Sequence, residues 1–306
     1  MKKYLLALLL STSSVAAIAA PKVVVSIVPL HSLVAGVMEG VAAPELLLSG
    51  VNSEHQGSYS PQQISDLGRA DLVFIIGDNL EVKLGQISGS EAVSGKSFVK
   101  LNESKGLVEL HIREGGSWEA HNHEDEHEGE HEEEHHDDPH TWLDTQNAII
   151  MTREITTALT KIDPINAVTY NSNANKQVDR LSALELEIKS LLQPIAGKPF
   201  IVFHDAYQYF ERRFSLNAVG SISDYSANQP SASRLAEIRS KVQSSKAVCV
   251  FKEPQFSDSA VLTVVEGSAA RLSVLDGLGA GLNPGKGAYE QIMRDLAQNL
   301  RNCLGG

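Results

Sequence analysis

From residue 22 onward, short and nearly continuous apolar runs alternate with stretches whose apolar positions recur every three to four residues. The runs at 22–28 (KVVVSIV), 45–48 (ELLL), 72–76 (LVFII) and 98–101 are rich in β-branched and large apolar residues and predict strands. Helical spacing at 31–38 and 61–67 falls between them. Strands that are apolar on both faces and separated by helices imply a parallel sheet covered on both sides. The same alternation returns later, with strands at 200–203, 218–222, 247–251 and 272–275 and helices at 206–214, 232–242, 259–265 and 289–303. Between the two halves, 144–159 reads as helix, and Asp163-Pro164 announces a longer one. Val178, Leu181, Leu184, Ile188, Leu191 and Leu192 give that helix one apolar stripe up to Pro194. From 164 to 192 it would run about 43 Å at 1.5 Å per residue, long enough to brace two bodies.

The expected fold is therefore α/β, with two lobes, each a mainly parallel sheet flanked by helices. One long helix joins them, and a site is expected in the cleft between. The boundaries read as 1–19, 20–160, 161–193 and 194–306, with no convincing internal sequence repeat.

The first 19 residues pair two lysines with the apolar run 5–10 and an Ala17-Ile18-Ala19 pattern. This predicts a secretory signal peptide cleaved just before Ala20, too short to span a bilayer. No cysteine follows that run, so lipid attachment there is not expected. No other stretch is apolar and long enough to span, and about 287 residues remain for one large or two medium domains in an exported compartment, most simply a bacterial periplasm. In such a compartment Cys249 and Cys303 read as a disulfide tying a strand to the last helix, with two free thiols as the alternative.

The formal charge of −12 looks like a property of the whole chain but belongs to one stretch. Residues 119–138 hold eleven acids and no Lys or Arg, and without them 26 positive charges face 27 negative ones. Nucleic acid is not an expected partner; a cation is. The same stretch, AHNHEDEHEGEHEEEHHDDPHTW at 120–142, carries seven of the eleven histidines. Its front part is too polar to be core and is expected to be a loop inserted late in the first lobe. His121, His123, His127, His131, His135 and His136 offer imidazole beside carboxylate, a set suited to weak binding of Zn²⁺. His140 differs from them, because it sits where ordered structure resumes.

Four candidate ligands fall just past strand ends, where open α/β sheets bind their ligands. His55 lies in the polar loop after ELLL, His204 follows IVF, Asp276 follows SVL, and His140 closes the insertion. Three imidazoles and one carboxylate suit a tetrahedral Zn²⁺ better than Mg²⁺ or Ca²⁺, which prefer oxygen. Asp276 also reads as a turn residue before Gly277, and Glu54 or a water can supply the oxygen instead. His31, at a helix start, and His111, on a strand or its edge, read as structural.

On five motifs the chain resembles a known family. They are SEH (53–55), DPHTWLD (138–144), FHDAYQYFERRF (203–214), CVFKEPQF (249–256) and VLDGLG (274–279). Together with the acidic His-rich insertion, they resemble the metal-binding receptors of ABC-type metal uptake, specifically the ZnuA-like periplasmic zinc-binding proteins. The resemblance implies His55, His140 and His204 as zinc ligands, with a carboxylate or water completing the shell. It also implies a Cys249–Cys303 disulfide and delivery of Zn²⁺ by a monomeric, non-spanning receptor to an inner-membrane ABC permease with its ATPase. Two other readings are weighed: a receptor of the same superfamily for Mn²⁺ or Fe²⁺, and a zinc-dependent hydrolase. Manganese and iron receptors usually replace the third His by a carboxylate and lack the insertion. A hydrolase needs an open coordination position and a general base, and no HExxH or GxSxG is present.

Overall fold

The structure, a computed structural model, describes residues 20–55, 58–90, 93, 95–113, 117–118 and 137–306. The expected signal peptide and the six insertion histidines lie outside these residues.

The first lobe is built from β1 (Val23–Val25), α1 (Val28–Val37), β2 (Glu45–Leu46), α2 (Pro61–Arg69), β3 (Leu72–Ile75), α3 (Val82–Ser88) and β4 (Ser97–Lys100). Its strands pair in parallel in the order β2-β1-β3-β4. Next come α4 (Thr145–Ile162), a 3-10 turn (Pro164–Asn166) and α5 (Ala167–Leu192). The second lobe contains β5 (Pro199–Val202), α6 (Gln208–Phe214), β6 (Asn217–Ser221), α7 (Ala232–Ser244), β7 (Cys249–Lys252), α8 (Ser259–Val265), β8 (Arg271–Val274) and α9 (Ala288–Gly305). Its sheet is also parallel, in the order β6-β5-β7-β8, so the two lobes repeat one topology without repeating a sequence.

The continuous apolar strands are explained by burial on both faces. Along β1 and β3, Val23, Val25, Leu72 and Phe74 enter one core layer, whereas Val24, Val73 and Ile75 enter another. In β7, Cys249 and Phe251 point one way and Val250 the other. The larger layer runs without interruption through both lobes, because α5 packs against α1, α4 and α9, and α1 also meets α9.

The long helix is thus a shared spine. Asn173 donates to the carbonyls of Val37 (3.0 Å) and Glu39 (2.8 Å), and Gln177 donates to Leu33 O (3.2 Å) and Thr152 Oγ1 (2.9 Å). That close approach requires Gly36, where a Cβ would lie 1.8 Å from Gln177 Oε1. Cys249 and Cys303 form the expected disulfide, tying β7 to α9. Among the described residues no helix is long and apolar enough to cross a membrane.

Two elements differ from the sequence reading. The long helix begins at Ala167, because the chain first makes a 3-10 turn at Pro164–Asn166; at 26 residues it spans about 39 Å. The helix α3 was not anticipated. Its seven residues include Gly85, which weakens helical propensity.

Candidate metal centre

The site forms where loops at the carboxyl ends of both sheets meet. Glu54 and His55 lie in the loop after β2, and His204 lies two residues beyond β5. His140 precedes the 3-10 turn Thr141–Leu143 that leads into α4. Asp144 caps α4 by accepting from the amides of Gln146 (2.7 Å) and Asn147 (3.4 Å), and Arg213 of α6 holds the same carboxylate at 3.0 and 2.8 Å. The start of α4, and with it His140, is thereby fixed against the second lobe.

Glu54, His55, His140 and His204 each present one ligand atom, and the four atoms all lie within 4.8 Å of one another. Glu54 Oε1 is 3.7 Å from Nε2 of both His140 and His204 and 4.0 Å from Nε2 of His55. A tetrahedral Zn²⁺ with bonds of about 2.0–2.2 Å has ligand-to-ligand edges of about 3.3–3.6 Å, so the Glu54 oxygen is already near its place and the cluster would draw in around an ion. The three rings meet edge to face, with centroids 5.3 to 5.9 Å apart. All three Nε2 atoms are buried and have no hydrogen-bond partner, a costly arrangement unless a ligand satisfies them. His140 and His204 are fully enclosed, whereas the side chain of His55 is 13% exposed and forms the open edge.

The other ring nitrogens are held by carboxylates. Asp138 Oδ1 lies 2.7 Å from His140 Nδ1, and Glu253 Oε1 lies 2.7 Å from His204 Nδ1. A carboxylate only accepts, so both rings carry the proton on Nδ1 and present Nε2 to the centre, the usual arrangement of a metal-binding histidine. Asp138 and Glu253 were not singled out from the sequence. Glu253 nonetheless directly follows β7, and like His204 it lies just past a strand end.

The electrostatics of the site follow from this packing. Burial would push His204 down, but the charges of Glu253 and Glu54 outweigh it and hold the ring up at about 10. Burial pushes His55 down to about 4 against the attraction of Glu54. Burial alone would raise the Glu54 carboxyl, but the facing His204 ring and the imidazoles of His55 and His140 keep it well below the usual carboxylate range. An anionic oxygen therefore waits among three imidazoles, an arrangement complementary to a dication.

Asp276 stands outside the cluster. Its Oδ1 accepts from the amides of Leu278 (3.0 Å) and Gly279 (2.9 Å), and its Oδ2 accepts from Ala280 N (2.6 Å), so it organises its own turn. It also accepts from Gln255 Nε2 (3.0 Å), which donates to Gly50 O (2.7 Å) across the lobe boundary. There the backbones nearly touch: a Cβ on Gly50 would lie 2.7 Å from Gly279. The carboxylate grouped with the three imidazoles is Glu54, one of the alternatives to Asp276 that the sequence offers. His31 is buried with Nε2 against Pro44 O (3.0 Å), and His111 is exposed with Nδ1 2.9 Å from Asp137 Oδ1; neither joins the cluster.

Known proteins share this arrangement of chain and sheets. A ZnuA crystal structure covers 93% of this chain and 99% of its own at a TM-score of 0.76 and 24% identity. The periplasmic zinc-binding protein TroA from Treponema pallidum reaches a TM-score of 0.78 at 20% identity, over 93% of this chain and 99% of its own; both show the fold alone. In sequence, the high-affinity zinc uptake system protein ZnuA of Brucella abortus (strain 2308) is 42% identical, covering 92% of this chain and 91% of its own. The protein of the same name from Paracoccus denitrificans is 37% identical over 93% and 92%. The match to the family described as zinc-uptake complex component A, periplasmic (ZnuA), runs from residue 23 to 303 and takes in both sheets and the spine, so this chain belongs to that family.

Proposed function

We propose that the protein is an exported, high-affinity zinc receptor that captures Zn²⁺ at Glu54, His55, His140 and His204 and delivers it to an ABC permease and its ATPase for import. The observation that carries this reading is the convergence of three unpaired, buried Nε2 atoms and one anionic oxygen on a single point. Names of relatives at 37–42% identity support zinc as the cargo, and the family's description supports the periplasm as the compartment. Four protein ligands fill a tetrahedral shell, which favours holding the ion over turning a substrate on it.

Capture and release are expected through the side of His55, the most exposed of the three imidazoles. The insertion histidines His121, His123, His127, His131, His135 and His136 would add weak sites that raise the local zinc concentration, an idea tested by deleting residues 119–136 and measuring uptake at limiting zinc. The receptor reading itself is tested by metal content after purification and by competition titration of the wild type against His140→Ala and His204→Ala. One tightly held zinc in the wild type and loss of several orders of magnitude in either variant is the expected result. Equal affinity in a variant would remove that residue from the ligand set.

A further inference from the structure

A second buried charge cluster begins one residue beyond His204. Arg113 belongs to the segment that follows β4, on the first lobe's side of the insertion, yet its guanidinium donates to two carboxylates of the second lobe. Its Nε donates to both oxygens of Asp205 at 3.1 Å, and its Nη2 also reaches Asp205. Nη1 and Nη2 donate to the two oxygens of Glu211 in α6 at 2.8 and 3.1 Å. The side chains of Asp205 and Glu211 are 5% and 8% exposed, and that of Arg113 is 19% exposed. Trp118 covers the outer face of the guanidinium, with Cζ 3.5 Å from the ring centroid.

Neighbouring contacts repeat the same connection. Gln208 Nε2 donates to His111 O (3.0 Å) and to Asp138 Oδ2 (3.1 Å), and the other oxygen of Asp138 holds the ring of His140. Tyr209 Oη donates to Asp138 O (2.9 Å) and accepts from Leu110 N (3.0 Å). Arg234 Nη2 donates to Ser117 O (2.7 Å). Residues on both sides of the insertion are therefore fastened to the second lobe at positions adjoining two of the three imidazoles. Among the described residues only Arg113 does so by neutralising two buried carboxylates at once, a task suited to its planar fork and unsuited to a lysine. Without it, two nearly inaccessible anions would face each other beside His204 and require water to enter the seam.

We propose that Arg113 is a positioning residue for the metal centre, an interlobe latch that keeps His204 facing His55 and His140 and thereby sets how fast the bound dication leaves. This rests on the zinc-receptor reading. Arg113 supplies no ligand atom, so its effect belongs to the release rate and the coordination geometry.

The test loads the full chain with one equivalent of zinc and follows transfer to excess EDTA by stopped flow. Arg113→Ala is expected to release zinc at least tenfold faster than the wild type, with Arg113→Lys in between. Arg294→Ala, which removes an exposed pair between α9 and Glu187 of α5, serves as the control and should leave the rate unchanged. With Co²⁺ in place of zinc, the visible bands should shift in Arg113→Ala and stay fixed in Arg294→Ala, a difference that loss of a remote strut would not produce. If Arg113→Ala fails to fold, Arg113→Lys carries the test, and release at the wild-type rate then overturns the latch. Release from a folded Arg113→Ala within twofold of the wild type also overturns it while leaving the receptor reading intact. A wild-type chain that takes up no zinc overturns both.

Discussion

Glu253 accepts a hydrogen bond from Nδ1 of His204 at 2.7 Å, and this contact fixes both the tautomer and the direction of the ring. Glu253→Ala should weaken zinc binding by about 10–100-fold, the usual cost of losing such a partner. Glu253→Gln retains an acceptor oxygen and should lose less. Competition against a chelating dye checks both, and an unchanged affinity in Glu253→Ala would show that the ring needs no such support.

The two candidate carboxylates are separable. Glu54→Ala removes the only anionic oxygen of the cluster and should lower affinity by orders of magnitude. Asp276→Ala should leave one zinc per chain bound. It strips three backbone amides of their acceptor, so it should instead lower stability by roughly 1–3 kcal/mol, read as a fall in Tm. The reverse pattern would return Asp276 to the ligand set.

Zinc binding should release protons. With His204 held up at about 10, its ring is protonated in the metal-free protein at neutral pH and must give up the Nε2 proton to coordinate. His55, pushed down to about 4, is already neutral there. Affinity should therefore fall as pH falls, by about tenfold per pH unit through the neutral range. Calorimetry in buffers of different ionisation enthalpy should count about one proton per zinc at pH 7.5 from this ring. Affinity that stays flat from pH 7.5 to 5.5 would contradict imidazole ligation.

Replacing both Cys249 and Cys303 by serine opens a loop with a sequence separation of 54 residues. The chain-entropy estimate for such a loop is about 4 kcal/mol, so Tm should drop on the order of 5–10 °C. The bond joins β7 to α9 away from the ligand atoms, so zinc stoichiometry should not change. A matching loss of zinc would mean that β7, and Glu253 at its end, depends on the bridge for its position.

Most of the frame is legible in the sequence because strands buried on both faces leave unbroken apolar runs, as at Val23–Val25 and Leu72–Ile75. The position of His204 just beyond such a run, and of His140 where the acidic stretch ends, points to the cleft from sequence alone. The choice between Glu54 and Asp276 was not legible in the same way. Both are carboxylates past a strand, and what separates them is that the turn 276–280 folds its own amides onto Asp276. Arg113 left no local signal either, because its partners Asp205 and Glu211 lie more than 90 residues away. The short helix α3 is hidden by Gly85 and by a pattern of only about two turns.

The most direct measurement is zinc K-edge X-ray absorption on the full chain loaded with less than one equivalent of zinc, so that the tightest site dominates. The expected spectrum fits three imidazole nitrogens and one carboxylate oxygen at about 2.0–2.2 Å, with one imidazole missing in His204→Ala. A shell of fewer than three imidazoles in the wild type, or one unaltered by His204→Ala, would contradict convergence of the two lobes on a single ion.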